Sequence, residues 1–376
     1  MKILFAGGGT GGHFYPIIAV HRALRAIADE YQIIEVDAVL LSTTSYDRNL
    51  LRQENIGFRW VPAGKMRRYF SLLNFFDALK TGLGVIAAIF YIFITLPDVI
   101  FAKGGYASFP ALLAGRLFSI PVIIHESDAV PGRVNVWASG FARRIAISFP
   151  ESASFFPKKK TALTGHPVRH AVTGGNPEGA YASFGLEKHI PTILVMGGSQ
   201  GALKLNETVL SILPDFLKKA QIVHQTGAAH IKEVTARAEI ILENNPSKSR
   251  YHPVAFLNEA ELRNLSSIVD IAISRAGAGS IFTLAAWGTP AIIIPLSHAA
   301  QDHQRRNAYA YGHTGAAAVI EENNLLPHLL FEETFRIIEN KVLRERMKKS
   351  AKNFSRPDAA DKIAREIIRL ALEHAS

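Results

Sequence analysis

The chain has no cysteine. Disulfides, thiolate metal sites and cysteine nucleophiles are therefore excluded. It has no zinc-finger spacing, no RNP pattern and no long Lys/Arg tract, so a nucleic-acid partner is not expected despite a formal net charge of +10. Phosphorylated substrates and anionic membrane suit that charge better. No Asp-x-Asp pair occurs, and no metal or cofactor is expected; a diphosphate would have to be held by protein dipoles. No signal-peptide pattern opens the chain, and a cytoplasmic location is expected. Long apolar runs are also scarce. Gly82 to Leu96 is almost wholly apolar, but its 15 residues fall short of the roughly 20 that span a bilayer. The expectation for that run is a helix buried against a sheet, stopped by Pro97-Asp98.

What is present is organised around Gly7-Gly8-Gly9-Thr10-Gly11-Gly12-His13. The apolar run Ile3 to Ala6 precedes it, and a helical pattern (Ile17, Ile18, Val20, Leu24) follows. That order reads as strand, glycine turn, helix. A helix N-terminus reached by a bare backbone favours phosphate, and His13 stands at its mouth. Gly7, Gly9 and Gly12 also fit the dinucleotide fingerprint. The acid that should follow the second strand to hold a ribose is missing, since Ala38 to Leu41 ends in Ser42-Thr43-Thr44. A nicotinamide dehydrogenase is the least favoured reading.

Strands alternate with helices along the rest. Val36 to Leu41 reads as a strand, followed by a polar helix around Tyr46 to Glu54. Asp98 to Ala102 runs into Lys103-Gly104-Gly105-Tyr106 and a helix, Pro110 to Leu117. Pro121 to Ile124 ends in His125-Glu126-Ser127-Asp128, where open α/β sheets place ligands, although these side chains equally suit a helix cap or pairing with nearby basic residues. Arg143 to Ile147 reads as a strand and Pro157 to Lys160 as a connector, with a domain junction near Gly174-Gly175-Asn176-Pro177. Then the pattern restarts. Thr192 to Met196 leads into Gly197 to Ala202 and a helix through Leu205, Val209 and Leu213. Asp98 to Ala102 with Gly104-Gly105 is echoed by Asp270 to Ser274 with Gly277 to Ser280. Pro290 to Pro295 reads as a strand, with Gln301 to Asn307 beyond it, and Pro357-Asp358 opens a last amphipathic helix. The expected class is α/β, with two doubly wound, Rossmann-like domains: 1–170, and 171–353, with the helix of about 354–376 packing back on the first.

Lys65, Arg67 and Arg68 stand beside Tyr69, Phe70, Leu72 and Leu73. This cluster suits an interface with anionic lipid, or equally a solvated basic turn.

Gly8 to His13, Gly104-Gly105-Tyr106, His125-Glu126, Gly165-His166-Pro167-Val168-Arg169, Gly197 to Ala202, and Ser274-Arg275-Ala276-Gly277-Ala278 occur in the order seen in the MurG family, and the resemblance covers the whole chain. It implies the GT-B fold, with the active site in the cleft between the halves. It implies transfer of N-acetylglucosamine, with inversion, from UDP-GlcNAc to the muramyl 4-hydroxyl of lipid I, forming lipid II. The resemblance places the enzyme peripherally on the inner face of the cell membrane. By matching positions, Thr10, Gly11 and Gly12 touch the donor, Tyr106 lies on the substrate side, and Arg169, Ser199 and Gln200 lie near the diphosphate or uridine. Leu257 falls where backbone contacts hold uracil. Ala278, Gly279 and Ser280 present a helix N-terminus to the diphosphate, and Gln304 and His303 hold the sugar hydroxyls. His13 is the expected general base, with Glu126 and Asp128 as rivals.

Two positions depart from the family pattern. Asp128 stands where an Asn is usual, so an ionised side chain accepts but does not donate. Thr283 stands where a Glu normally takes the ribose hydroxyls, which puts donor affinity in question. A GT-B glycosyltransferase with another UDP-sugar or lipid acceptor is the nearest alternative, followed by a UDP-sugar epimerase and a non-catalytic membrane-surface binding protein.

Overall fold

The computed structural model describes residues 1–65, 73–198, 202–297 and 302–375. The chain forms two compact units, Met1–Arg169 with Pro357–Ser376, and His170–Arg356. The Gly174–Pro177 stretch belongs to the second unit, where Asn176 N donates to Asn264 Oδ1.

The first unit is built on a parallel sheet of seven strands. They are β1 (Lys2–Ala6), β2 (Asp37–Ser42), β3 (Ile56–Trp60), β4 (Val99–Ala102), β5 (Val122–Glu126), β6 (Arg144–Ile147) and β7 (Thr161–Leu163). Their spatial order is β3-β2-β1-β4-β5-β6-β7. β4 and β5 are buried along their whole length. Burial on both faces is why these strands read as unbroken apolar runs instead of alternating ones. One face carries the helix Gly11–Ile27 and the final helix Ala359–Ala375, which share a core through Ile17, Val20, Leu24, Ile363, Ile367 and Leu370. The other face carries the helix Phe109–Leu117, with Ala111 and Leu112 packed beside Ala88 and Ile92.

The second unit repeats the plan with six parallel strands: β8 (Thr192–Met196), β9 (Gln221–Gln225), β10 (Tyr251–Val254), β11 (Val269–Arg275), β12 (Ala291–Ile294) and β13 (Ala317–Val319). Their order is β10-β9-β8-β11-β12-β13. In both sheets the strand order reverses beside the first strand, between β1 and β4 and between β8 and β11. That reversal opens a crevice at the strands' C-terminal ends, where doubly wound folds bind ligands.

Several expectations are corrected. The apolar run after Gly82 is part of a longer helix, Leu73–Thr95, of 23 residues. Its buried positions are Gly84, Ala88 and Ile92. Phe76, Leu79, Leu83, Ile86, Phe90 and Phe93, spaced three and four apart, lie on the outside; Phe90 is 66% exposed. The small face packs inward because a Cβ on Gly84 would collide with Pro62 O at 1.8 Å. Of the basic cluster, Arg67, Arg68, Tyr69, Phe70 and Leu72 lie outside the described residues. The polar helix runs only over Arg48–Gln53, because Asp47 caps it by accepting from Leu50 N at 2.9 Å. The helix expected through Leu213 ends at Ser211, and a second begins at Leu213 with Pro214 in its first turn. Lys158–Lys160 forms a 3-10 turn that leads directly into β7.

Candidate functional site

In the first unit the site grows from the turn after β1. A Cβ on Gly8 would stand 2.0 Å from Ser42 Oγ, so only glycine lets this turn lie against the end of β2. Thr10 is the N-cap of the helix Gly11–Ile27, but its hydroxyl caps no backbone N–H. It bonds instead to His13 Nδ1 at 3.1 Å, which orients the ring. Beside that ring runs the turn after β4. Gly105 has φ +74, and a Cβ there would stand 3.4 Å from His13 Nε2. Tyr106 follows, with its hydroxyl near Gly9 and Lys65 Nζ 5.7 Å from its ring centre. Gly11 is buried close to the rings of Tyr15 and Tyr46, whereas Gly12 is exposed. Arg169, the last residue of this unit before the chain leaves it, stacks its guanidinium 3.9 Å from the ring centre of Tyr15.

The end of β5 supplies the carboxylates, and they are not equivalent. Glu126 is buried. One of its oxygens accepts from Asp128 N at 3.1 Å; the other accepts from Gly132 N at 3.0 Å and Asn135 Nδ2 at 2.9 Å. Burial, then the nearby Asp128 charge, raises its pKa above the ordinary carboxyl value, against those three donors. Glu126 thus braces the loop that carries Asp128, which is itself half-buried.

A buried polar cluster lies beneath. Lys103 Nζ bonds to His125 Nδ1 and, at 2.6 Å, to Ser127 Oγ. His125 Nε2 bonds to Gly165 O at 3.1 Å. Burial, then the positive charge of Lys103, holds both His125 and His166 well below the usual histidine range. Both rings are therefore neutral at physiological pH, and neither is a proton acceptor of ordinary strength. Lys103 stands in the Lys103-Gly104-Gly105-Tyr106 stretch of the sequence, where motif reading gives it no role.

In the second unit the helix Ala278–Trp287 starts at Gly277, which has no side chain to cap it. The first-turn positions Ala278, Gly279 and Ser280 contain no acid, so the end keeps its positive character. Asn307 holds the turn in place by donating to Ala276 O at 3.1 Å. Thr283 is half-buried one turn further along the same helix. Leu257 is fully buried, and its N–H donates to Gln225 Oε1 at 3.3 Å. Gln304 Oε1 accepts from Leu296 N at 3.1 Å, tying β12's exit to the helix His303–Gly312, where His303 is the first residue. Ser199 and Gln200 lie outside the described residues.

Two family models match the chain: the glycosyltransferase family 28 N-terminal domain over residues 3–147, and its C-terminal domain over residues 192–363. A Bacillus cereus UDP-N-acetylglucosamine–N-acetylmuramyl-(pentapeptide) pyrophosphoryl-undecaprenol N-acetylglucosamine transferase is 36% identical over 367 residues, covering 97% of this chain and 99% of that relative. The chain belongs to the MurG family. A Lachnoclostridium phytofermentans member carrying the same transferase name is also 36% identical, covering 96% of this chain and 97% of that one. The crystal structure of Acinetobacter baumannii MurG superposes with a TM-score of 0.71 at 27% identity, covering 98% of this chain and 99% of that one. The architecture is therefore of the GT-B type, and the chain is an N-acetylglucosaminyltransferase of the MurG family.

The candidate residues fall into two sets. His13, Thr10, Gly11, Gly12, Tyr106, Glu126, Asp128 and Arg169 belong to the first unit, at or beyond the C-terminal ends of β1, β4, β5 and β7, with Gly11, Gly12 and His13 in the first turn of the helix Gly11–Ile27. Leu257, Ala278, Gly279, Ser280, Thr283, His303 and Gln304 belong to the second.

Proposed function

We propose that this MurG-family chain moves N-acetylglucosamine from UDP-GlcNAc to the 4-hydroxyl of the muramyl sugar of lipid I, giving lipid II with inversion at the anomeric carbon. The observation that carries this is the setting of His13: a histidine oriented by Thr10 against Gly105, at the strand-order reversal of a MurG-family sheet. The acceptor oxygen attacks the anomeric carbon and passes its proton to His13. The bond from that carbon to the diphosphate breaks, and UDP leaves with the electron pair. The helix end at Ala278, Gly279 and Ser280 stabilises the charge of the leaving group without a metal or cofactor. Leu257 holds uracil through its backbone. Gln304 and His303 take the sugar hydroxyls, and Ser199 and Gln200 lie on the phosphate side. In this reading Asp128, on the loop that Glu126 braces, holds the acceptor.

The deciding experiment is transfer of radiolabelled sugar from UDP-GlcNAc, UDP-GalNAc and UDP-glucose to a lipid I analogue, with and without EDTA. Transfer from UDP-GlcNAc that survives EDTA is expected. His13→Ala should lower turnover by roughly 10²–10⁴ with UDP affinity kept. Near-wild-type turnover would move the base to Asp128. Preference for another donor would favour the related reading suggested by Asp128 and Thr283, a GT-B transferase for a different UDP-sugar.

The second part of the proposal is a peripheral seat on the anionic cytoplasmic face of the membrane. The support is the exposed stripe Phe76, Leu79, Leu83, Ile86, Phe90 and Phe93 on the helix Leu73–Thr95. That helix is long and apolar enough to cross a bilayer. Crossing would strip Gly84, Ala88 and Ile92 from the core they pack into, so lying in the interface fits better. Binding to anionic vesicles should weaken in salt and with Phe90→Ser. Equal binding to neutral vesicles at any salt would remove the electrostatic part.

A further inference from the structure

Lys103 has no role in the transfer as described, yet it is one of the most deeply placed charged groups in the protein, at 2% exposure. Its backbone N–H donates to Ala6 O at 2.8 Å, which fastens it beneath the glycine turn. A Cβ on Gly7 would stand 3.0 Å from Lys103 Cβ. The side chain then crosses to the neighbouring strand end, where its amine meets His125 Nδ1 and Ser127 Oγ. Ser127 lies between Glu126 and Asp128 in the chain.

These bonds decide what the neighbours do. The amine donates to Nδ1 of His125, so Nε2 of that ring carries the proton and donates to Gly165 O. Gly165 begins the segment that ends in Arg169, which stacks on Tyr15 in the helix that also carries His13. One residue thus touches the turn after β1 through its backbone and Cβ, the corner at the end of β5 through its amine, and the segment after β7 through the His125 ring. Glu126 and Asp128 face it with negative charge, while His125 and His166 sit beside it as neutral rings, and His13 acts on His166 from the helix Gly11–Ile27. Asn135 reaches the cluster from the helix Arg133–Ala138 through Glu126.

We propose that Lys103 is a positioning residue for the acceptor side of the transfer: it fixes the His125 tautomer, holds the Ser127–Asp128 corner, and places positive charge beneath the Glu126 and Asp128 carboxylates. This rests on the transfer reaction proposed above. Burial lowers the amine's pKa to about 7, with the two carboxylates opposing the shift. Either protonation state has enough N–H groups for both hydrogen bonds, so the geometry holds throughout and only the charge varies.

The test is Lys103→Met in the full chain, since methionine is of similar length and fills the slot without an amine. Acceptor kcat/KM is measured against pH with UDP-GlcNAc and a lipid I analogue, with UDP affinity by titration calorimetry and thermal melting in parallel. The expected result is an acceptor kcat/KM lowered about tenfold through acceptor KM, with kcat and UDP affinity within about twofold. A merely structural lysine would lower kcat and UDP affinity as well. A variant that matches an active wild type in acceptor kcat/KM overturns the role of Lys103 alone. Wild-type protein that moves no sugar overturns the transfer reading first. Should Lys103→Met fail to fold, Ser127→Ala removes one acceptor of the amine and leaves the slot filled. A lowered acceptor kcat/KM with UDP affinity kept then supports the proposal, and an unchanged kcat/KM overturns it.

Discussion

Lys103 and Arg275 occupy the same place in the two halves. Each stands five residues after an aspartate at the start of a central strand (Asp98 and Asp270), and each precedes a glycine turn. Even the supporting bonds repeat. Asp98 accepts from Lys2 N at 2.8 Å in the first sheet, and Asp270 accepts from Thr192 N at 3.0 Å in the second. The cations differ in their partners. Arg275 pairs directly with Glu322, both nearly buried, and Glu322 also accepts from Ser297 N at 3.1 Å and Ser297 Oγ at 2.7 Å. Burial opposes ionisation of Glu322, but the Ser297 donors and Arg275 outweigh it and hold its pKa below the ordinary value. Lys103 is bonded to neutral groups, with its carboxylates one step away. A guanidinium stays charged and suits a fixed brace, whereas burial lowers the hold of the Lys103 amine on its proton. The repeat kept a basic residue at the strand end, and the two bases differ in how firmly they stay charged there.

The largest effect that would break this comparison is on stability against pH. The folded Lys103 value of about 7 lies below the roughly 10.4 of an unfolded lysine. Between these values the unfolded chain binds a proton that the folded one does not, so stability rises with pH across that window. At about 1.4 kcal/mol per unit, the rise is some 3 to 5 kcal/mol relative to Lys103→Met. Urea midpoints of both proteins from about pH 7 to pH 10 measure the difference. Parallel curves would mean that the amine keeps its proton, as Arg275 does.

A smaller effect is expected on the other side. Arg275→Met leaves the Glu322 carboxylate buried without its cation. Breaking a buried pair costs about 3–5 kcal/mol, and the remaining Ser297 donors place this case near the lower end, about 3 kcal/mol. The loss should shrink as pH falls and Glu322 takes up a proton, because a carboxyl with a lowered folded pKa contributes only above its unfolded value. A loss that does not vary with pH would assign the damage to packing.

Legibility followed burial. β4, β5, β8 and β11 were readable because strands covered on both faces are apolar runs between turns. The edge strands β3, β10 and β13 are only half covered, so no apolar run marks them in the sequence. The run Gly82 to Leu96, expected as a buried helix, is exposed over most of its surface, since an apolar run does not say which face finds a partner. Its Gly84-Ala88-Ile92 seam, four residues apart, was the available sign that the small side turns inward. The glycine turns were legible because backbone geometry demands that residue type. Lys103 was not, since lysine usually belongs at the surface. Only its alignment with Arg275 across the internal repeat marked it.

The smallest predicted effect sharpens the comparison at the helix ends. Both the helix Gly11–Ile27 and the helix Ala278–Trp287 begin without a side-chain cap and without an acid in the first turn. The second departs from the MurG pattern one turn later, at Thr283. A carboxylate there would lie within reach of the helix's positive end, which tolerates it. In the proposed donor site it would accept both ribose hydroxyls, where threonine makes one weaker bond. A hydrogen bond to a charged group contributes about 1.5–3 kcal/mol, so Thr283→Glu should lower the UDP-GlcNAc dissociation constant by roughly tenfold or more. Calorimetric titration of both proteins with UDP-GlcNAc and with 2′,3′-dideoxy-UDP decides where that energy goes. A gain confined to the ligand with both hydroxyls places the ribose beside this helix. An equal gain with the dideoxy ligand would come from the helix field alone, and the ribose would then be held by other residues of the second unit.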